Sequence, residues 1–242
     1  MEEQKKESLE DYLGKLNIEG SRGSWIKRKR KINFVLGKAD AQISRAKRAC
    51  DVGIGDGYLL RYFAQRGLET TGVDISPYLV DHVRAAMKKE SLDVRLICGD
   101  ASTVNMEDNS LDVVTGLDVL EHIPGDGLEA TIVMLSRCIQ PDGVFIGSLP
   151  LGENLDDHMV TCPECQHVFH RIGHHHAFPT HVDIKKCLSP YFHVIQIGDV
   201  PFSLFKSGVL NSMAFKLYKL LCRALGLKKA RTVYFIAKPN KS

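Results

Sequence analysis

No apolar run in this sequence is long enough to cross a bilayer. The opening residues, Met1 to Glu7, contain no apolar h-region, which argues against a secretory signal. Internal repeats and low-complexity tracts are absent. Cysteine is too sparse for a disulfide scaffold: there are seven in 242 residues, an odd number. Five of them, Cys50, Cys98, Cys138, Cys187 and Cys222, stand alone in apolar or helical contexts. That pattern predicts reduced thiols and a cytoplasmic protein. What is present is ordinary for a globular chain, with 44% apolar and 25% charged residues. The length allows one good core with an appended subdomain.

Acidic residues are missing from the end of the chain. None follows Asp199, whereas nine Lys/Arg do. Residues 20–48 are also lopsided, with ten Lys/Arg against the single acid Asp40. The net charge of +3 therefore hides two basic flanks around an acidic middle. Such flanks suit an anionic partner, such as a phosphorylated substrate, a lipid surface or nucleic acid, although charge runs by themselves more often form solvated faces. Residues 1–44 read as an N-terminal helical cap, and the stretch around Trp25 and Lys27–Lys31 as a helix laid over a ligand mouth.

From Ala49 onward, short apolar runs alternate with helical stretches, the pattern of a parallel sheet with helices on both faces. Strands are predicted at 48–52, 70–74, 94–98, 111–116, 143–149, 193–198 and 232–237. Ser76-Pro77 is a helix start with Pro at the first helical position. Asp126 to Glu129 and Thr180 to Asp183 have capping-box spacing. Pro141-Asp142-Gly143 predicts a turn into the fifth strand.

The most informative stretch is Asp51-Val52-Gly53-Ile54-Gly55-Asp56-Gly57, between the first strand and a helix. Its glycines let the backbone turn tightly and approach a ligand. Asp74 closes the next strand, where a carboxylate suits a ribose with two hydroxyls. This is a nucleoside-cofactor pattern. The spacing is not the Gly-x-Gly-x-x-Gly of dinucleotide enzymes, which disfavours an NAD-dependent oxidoreductase.

With Gly72–Ser76, Gly99-Asp100-Ala101, Leu111–Pro124 and Gln140–Gly143 added, the chain resembles the class I S-adenosylmethionine-dependent methyltransferases, in particular the type 11-like small-molecule group. The resemblance covers about residues 45–150. It implies an α/β Rossmann-like fold, with a seven-stranded, mostly parallel sheet whose last strand is antiparallel. It further implies that Asp51 meets the methionine moiety and that Gly53, Gly55 and Gly57 pass under the cofactor. Asp74 would hold the ribose, Ile75 would face adenine, and Asp100 would accept from its amine with Ala101 alongside. The carbonyl at Leu117 would meet the cofactor's amino group. Ile54 departs from the family, which often has Cys or Ala there.

Methyl transfer from a sulfonium needs alignment and a deprotonated acceptor. Glu121 and His122 lie beyond the fourth strand, toward the acceptor side. His122 suits a general base, while both residues equally suit a purely structural role in fixing the loop. The segment 152–181 is rich in Cys and His. Cys162-x-x-Cys165 is half of a zinc knuckle, and His170 and His174 follow, so a structural zinc held by these four is expected. His158, His167, His175, His176 and His181 compete as ligands. A His cluster that binds substrate and a pair of simply reduced thiols are the alternatives; a thioredoxin-like role does not fit the context.

Residues 205–227 form a basic amphipathic helix, suited either to packing or to peripheral contact with an anionic membrane. The acceptor is expected to be a small molecule, a glycan or a lipid-linked intermediate. Nucleic acid is disfavoured, because no recognised binding module is present. A methyltransferase-like binding protein without catalysis is the reading from another class.

Overall fold

The computed structural model describes residues 22–201 and 231–241. The expected amphipathic helix at 205–227 and Cys222 lie outside the described residues. The chain begins with α1 (Arg22–Lys38) and the short α2 (Asp40–Ile43), followed by β1 (Arg48–Val52), α3 (Tyr58–Ala64), β2 (Glu69–Asp74) and α4 (Pro77–Lys89). Next come β3 (Arg95–Cys98), β4 (Leu111–Leu117), α5 (Gly127–Cys138) and β5 (Ile139–Leu151). A small hairpin follows, β6 (Met159–Thr161) with β7 (Val168–His170), then α6 (His181–Leu188), β8 (Phe192–Asp199) and β9 (Arg231–Pro239).

Seven strands form one sheet in the order β3-β2-β1-β4-β5-β9-β8. β1 to β5 pair in parallel, and β9 runs antiparallel to both of its neighbours, as the sequence predicts. The strand order reverses between β1 and β4. In open α/β sheets the carboxyl ends at such a point form a ligand crevice.

Alternation along the strands divides the core into two layers. From β5, Phe145, Leu149 and Leu151 join Leu128, Ile132 and Leu135 of α5 and Ile184 of α6 in one apolar cluster. Val144 and Ile146 point the other way, into a cluster with Leu59 and Phe63 of α3. The same cluster holds Ile32, Val35 and Leu36 of α1. The helix expected as a cap therefore contributes directly to the main core. A third cluster joins Ile54 and Leu60 to Val80, Val83 and Met87 of α4.

Two start signals hold. Ser76 accepts from the Leu79 amide with Pro77 at the first helical position, and Thr180 with Asp183 forms a complete capping box. Asp126 does not cap α5: its own backbone is helical (φ −70°, ψ −11°) and its side chain makes no cap bond. An N-cap needs an extended backbone for its oxygen to reach the free amides. The predicted turn at Pro141–Gly143 lies inside β5, where the pairing jumps from Leu111–Ile139 to Val113–Val144. It is a bulge within a longer strand rather than a turn before one. Among the described residues, no helix is long and apolar enough to cross a membrane.

Phe145 is fully buried and packs edge-on against Phe235 at 5.2 Å and tilted against Phe192 at 5.5 Å. Truncation of a large core aromatic costs about 3–5 kcal/mol. Phe145→Ala is expected to lose that much in urea denaturation, and a loss below about 1 kcal/mol would contradict this packing.

Candidate active site

Asp51 ends the central strand β1 and is 1% exposed. Thr115 of β4 donates its hydroxyl to Asp51 Oδ1 at 2.6 Å, while Asp51 Oδ2 is buried and has no partner among the described residues. Burial is the main reason that the Asp51 pKa stands well above the usual carboxylate range. The hydrogen bond from Thr115 opposes the rise, and the nearby Asp74 and Asp56 carboxylates add to it. An unpaired buried carboxylate oxygen is costly, so it marks where a donor on a ligand would be stabilising.

The glycine turn follows directly. Gly53 (φ +75°) and Gly57 (φ +73°) occupy the left-handed region that a side chain disfavours. A Cβ on Gly53 would also lie 2.4 Å from Val119, and one on Gly57 would lie 2.9 Å from Met87 and Val83. Ile54 turns away from the crevice into the α4 cluster, so its bulk does not crowd the turn. Asp74 is largely buried and accepts from the Ser76 amide at 2.9 Å. Burial raises its pKa, opposed by amides that include those of Ile54 and Gly55 of the turn. Ile75 is an exposed apolar residue beside it. Asp100 is exposed and uses Oδ1 to accept from both the amide and the hydroxyl of Ser102. Ala101 and Leu117 are half-buried against the two main core clusters.

Helix α1 lies along the turn. Trp25 donates to Asp56 Oδ2 at 3.0 Å, and Lys29 sits 3.7 Å over the Trp25 ring and 4.7 Å over Tyr58. Lys31 reaches the carboxyl end of β4, where it pairs with Asp118. Asp118 has a positive φ of 56° and accepts from the Ser148 hydroxyl at 2.9 Å. Burial lowers the Lys31 pKa to about 8, partly offset by the Glu121 carboxylate. Sequence reasoning left Lys31 in a basic run. Its helical phase with Val35, one turn on, was the available sign that it faces inward.

Glu121 and His122 lie on the 3-10 turn Leu120–His122, just beyond β4. Glu121 is 1% exposed, and burial raises its pKa to about 7. Its carbonyl accepts from the amides of His175 and His176, which fastens the Cys/His segment over this edge. His122 is exposed, and its Nδ1 donates to the Gly173 carbonyl at 3.1 Å. Loss of hydration, followed by the nearby His174, lowers its pKa to about 4. The ring is therefore neutral near pH 7.

The structure does not bring the four expected metal ligands together. The β6–β7 hairpin pairs Met159 with His170 and Thr161 with Val168. Cys162 is thus three residues along the strand from the position facing His170, roughly 10 Å away. Among the described residues, every group of three or more clustered ligands lacks cysteine. Cys162 and Cys165 share the hairpin tip, where the amides of Cys165 and Glu164 lower the Cys162 pKa. His170 and His174 instead cluster with Glu153, which the sequence did not single out. His174 Nδ1 bonds Glu153 Oε2 at 2.6 Å.

The raised Asp51 pKa fixes the sign of a pH effect. A carboxyl whose folded pKa exceeds its unfolded value contributes stability that is complete below the unfolded pKa. That stability is lost as pH rises toward the folded one. Asp51→Asn removes the titration and keeps the acceptor for Thr115. In thermal melts of ligand-free protein, the variant is expected to exceed the parent by at least about 1 kcal/mol near pH 8, with the gap closing toward about pH 4. A gap independent of pH would contradict the burial of an ionising Asp51.

Comparison with known proteins agrees with this geometry. Residues 50–147 match a family described as a methyltransferase domain. The ubiquinone biosynthesis O-methyltransferase of Coxiella burnetii (strain Dugway 5J108-111) is 27% identical over 125 residues, 52% of this chain and 52% of that protein. The chain thus spans about half the length of the curated relatives it matches. Two solved structures share the fold over most of the chain. The PH0226 protein of Pyrococcus horikoshii OT3 gives a TM-score of 0.62 at 16% identity, covering 91% of this chain and 93% of that one. An S-adenosylmethionine-dependent methyltransferase from Clostridium acetobutylicum ATCC 824 gives 0.61 at 17%, covering 87% and 91%. Residues 50–147, which match a methyltransferase domain, thus lie in a sheet with the fold of these two solved structures.

Proposed function

We propose that this protein transfers a methyl group from S-adenosylmethionine to a hydroxyl oxygen of a small-molecule acceptor. The observation that carries the reading is the buried Asp51 carboxylate, whose Oδ2 has no partner at the carboxyl end of β1. The charge of the crevice supports it. Asp51, Asp56 and Asp74 are close enough for both neighbours to raise the Asp51 pKa, so carboxylates gather at this end of the sheet, with Arg28 and Lys29 of α1 close to the turn. A sulfonium with an ammonium group is attracted to such a carboxylate cluster.

When bound, the cofactor supplies an activated methyl on sulfur. The protein supplies position and protonation state. Asp51 Oδ2 suits the ammonium donor, and Asp74 the ribose hydroxyls. Ile75 offers an apolar face, and Asp100 retains an acceptor oxygen for an adenine amine. On the acceptor side, neutral His122 keeps a lone pair at Nε2, because Nδ1 is held by the Gly173 carbonyl; with no ion on that nitrogen it is a weak acceptor for a hydroxyl proton. Lys31, held by Asp118, places a cation beside the same edge. Oxygen as the methyl acceptor is favoured by the curated relatives, which are named O-methyltransferases. Glycans and lipid-linked compounds fall within the same acceptor class.

Calorimetry with S-adenosylmethionine tests the donor half. The parent protein is expected to bind, and Asp51→Ala and Asp74→Ala each to weaken binding by about 10–100-fold, the worth of a charge-assisted hydrogen bond. Absence of binding by the parent, or undiminished binding by both variants, would refute the reading. Isotopic methyl transfer to hydroxylated aromatics, glycans and RNA tests the acceptor half, with label expected on the first or second and not on RNA.

A further inference from the structure

We propose that Glu121, His122 and His174 form a binding site for a divalent transition-metal ion of the zinc class, oriented by Glu153 and the Gly173 carbonyl. One ligand atom from each of the three residues lies within 4.8 Å of the others. The two rings approach edge to face, with centroids 4.6 Å apart. Glu121 is 1% exposed, and its buried Oε2 has no hydrogen-bond partner among the described residues. A buried, unpartnered carboxylate oxygen beside two imidazoles is the donor set that a borderline-soft cation takes.

The tautomers select these nitrogens. A carbonyl oxygen only accepts, so His122 Nδ1 carries its proton toward Gly173 and Nε2 presents a lone pair. The Glu153 carboxylate accepts from His174 Nδ1 at 2.6 Å, so His174 likewise presents a lone pair at Nε2. A ligating imidazole whose other nitrogen donates to a carboxylate or carbonyl is the usual outer-shell arrangement of metal-bound histidine. Both rings here meet that condition, through partners on different segments.

The same reasoning excludes the neighbouring cluster as the ligand set. The His174 amide donates to His170 Nδ1 at 3.0 Å, so the proton of a neutral His170 ring is on Nε2, leaving no lone pair there for an ion. That nitrogen faces Glu153 Oε1 at 4.0 Å, and His158 Nε2 faces the same oxygen at 3.8 Å. Glu153, His158 and His170 are therefore positioning residues that hold His174. Charge also balances. Two carboxylates with buried side chains, Glu121 and Glu153, neighbour His174, and Lys31 already pairs with Asp118. A divalent ion neutralises the pair.

Three protein ligands leave a coordination position open to water or to a hydroxyl-bearing ligand, as in sites where zinc is chemically active. The site lies on the turn that follows β4, at the carboxyl edge of the sheet. It does not depend on the cofactor reading, because its test is metal content and not turnover.

The full chain without a His-tag, dialysed against Zn2+, is expected to retain one zinc per chain by mass spectrometry. The Co2+-substituted protein should show visible d–d bands without thiolate charge-transfer absorption. Zinc is expected to persist in Cys162→Ser/Cys165→Ser and to be lost in His122→Ala/His174→Ala. Glu153→Gln, which keeps the shape of an outer-shell partner, should weaken Zn2+ binding by about 10–100-fold. Absence of retained zinc, a thiolate band in the cobalt protein, or retention by the folded histidine variant would overturn the proposal. If the histidine variant fails to fold, the cobalt spectrum of the parent and the Glu153→Gln affinity decide the matter.

Discussion

A carboxylate buried between the two central strands is the constraint from which the site follows. Asp51 sits where β1 ends, Thr115 of β4 secures one of its oxygens, and the other is left without a partner. A domain tolerates such a group only where the surrounding structure over-determines it. Here the support comes from strand pairing on both sides, with Asp51 facing Gly72 on β2 and Thr115 on β4. The tight glycine turn, the capped start of α4 and the covering helix α1 all assemble around that point. Stability is spent at the switch in strand order so that the crevice is lined with carboxylates and already shaped.

Helix α1 links stability to the site. Ile32, Val35 and Leu36 bury against the sheet, while Trp25, Lys29 and Lys31 engage the turn, α3 and the end of β4. The faces alternate as helical periodicity requires. A basic run that resembles a solvated surface therefore divides into the exposed Arg30, the half-buried Lys27, Arg28 and Lys29, and the buried Lys31. The Cys/His segment is fastened to the same edge by the His175 and His176 amides, which donate to the Glu121 carbonyl, and by the Gly173 carbonyl, which accepts from His122 Nδ1.

Much of the frame was legible because its signals are local. Apolar alternation located seven strands, and Ser76-Pro77 and Thr180 with Asp183 marked helix starts that the structure contains. The turn Asp51–Gly57 was readable because its glycines answer to backbone angles and not to distant partners. What escaped was long-range. Lys31 meets Asp118 across 87 positions, and Glu153 finds His174 across 21. Spacing alone paired Cys162 and Cys165 with His170 and His174, but a hairpin between them sets the pairs at opposite ends. Asp126 failed as a cap because its backbone is already helical, a fact that residue type does not carry.

The single tryptophan of the chain is hydrogen-bonded to Asp56, one residue before the last glycine of the turn, and a lysine ammonium lies on its face. Any event that moves the turn or α1 changes the hydration and the local field of that indole. No other indole in the sequence contributes background emission. The protein thus carries a built-in optical probe at the edge of its own crevice, so that opening and filling of the site can be followed in solution without attaching a label.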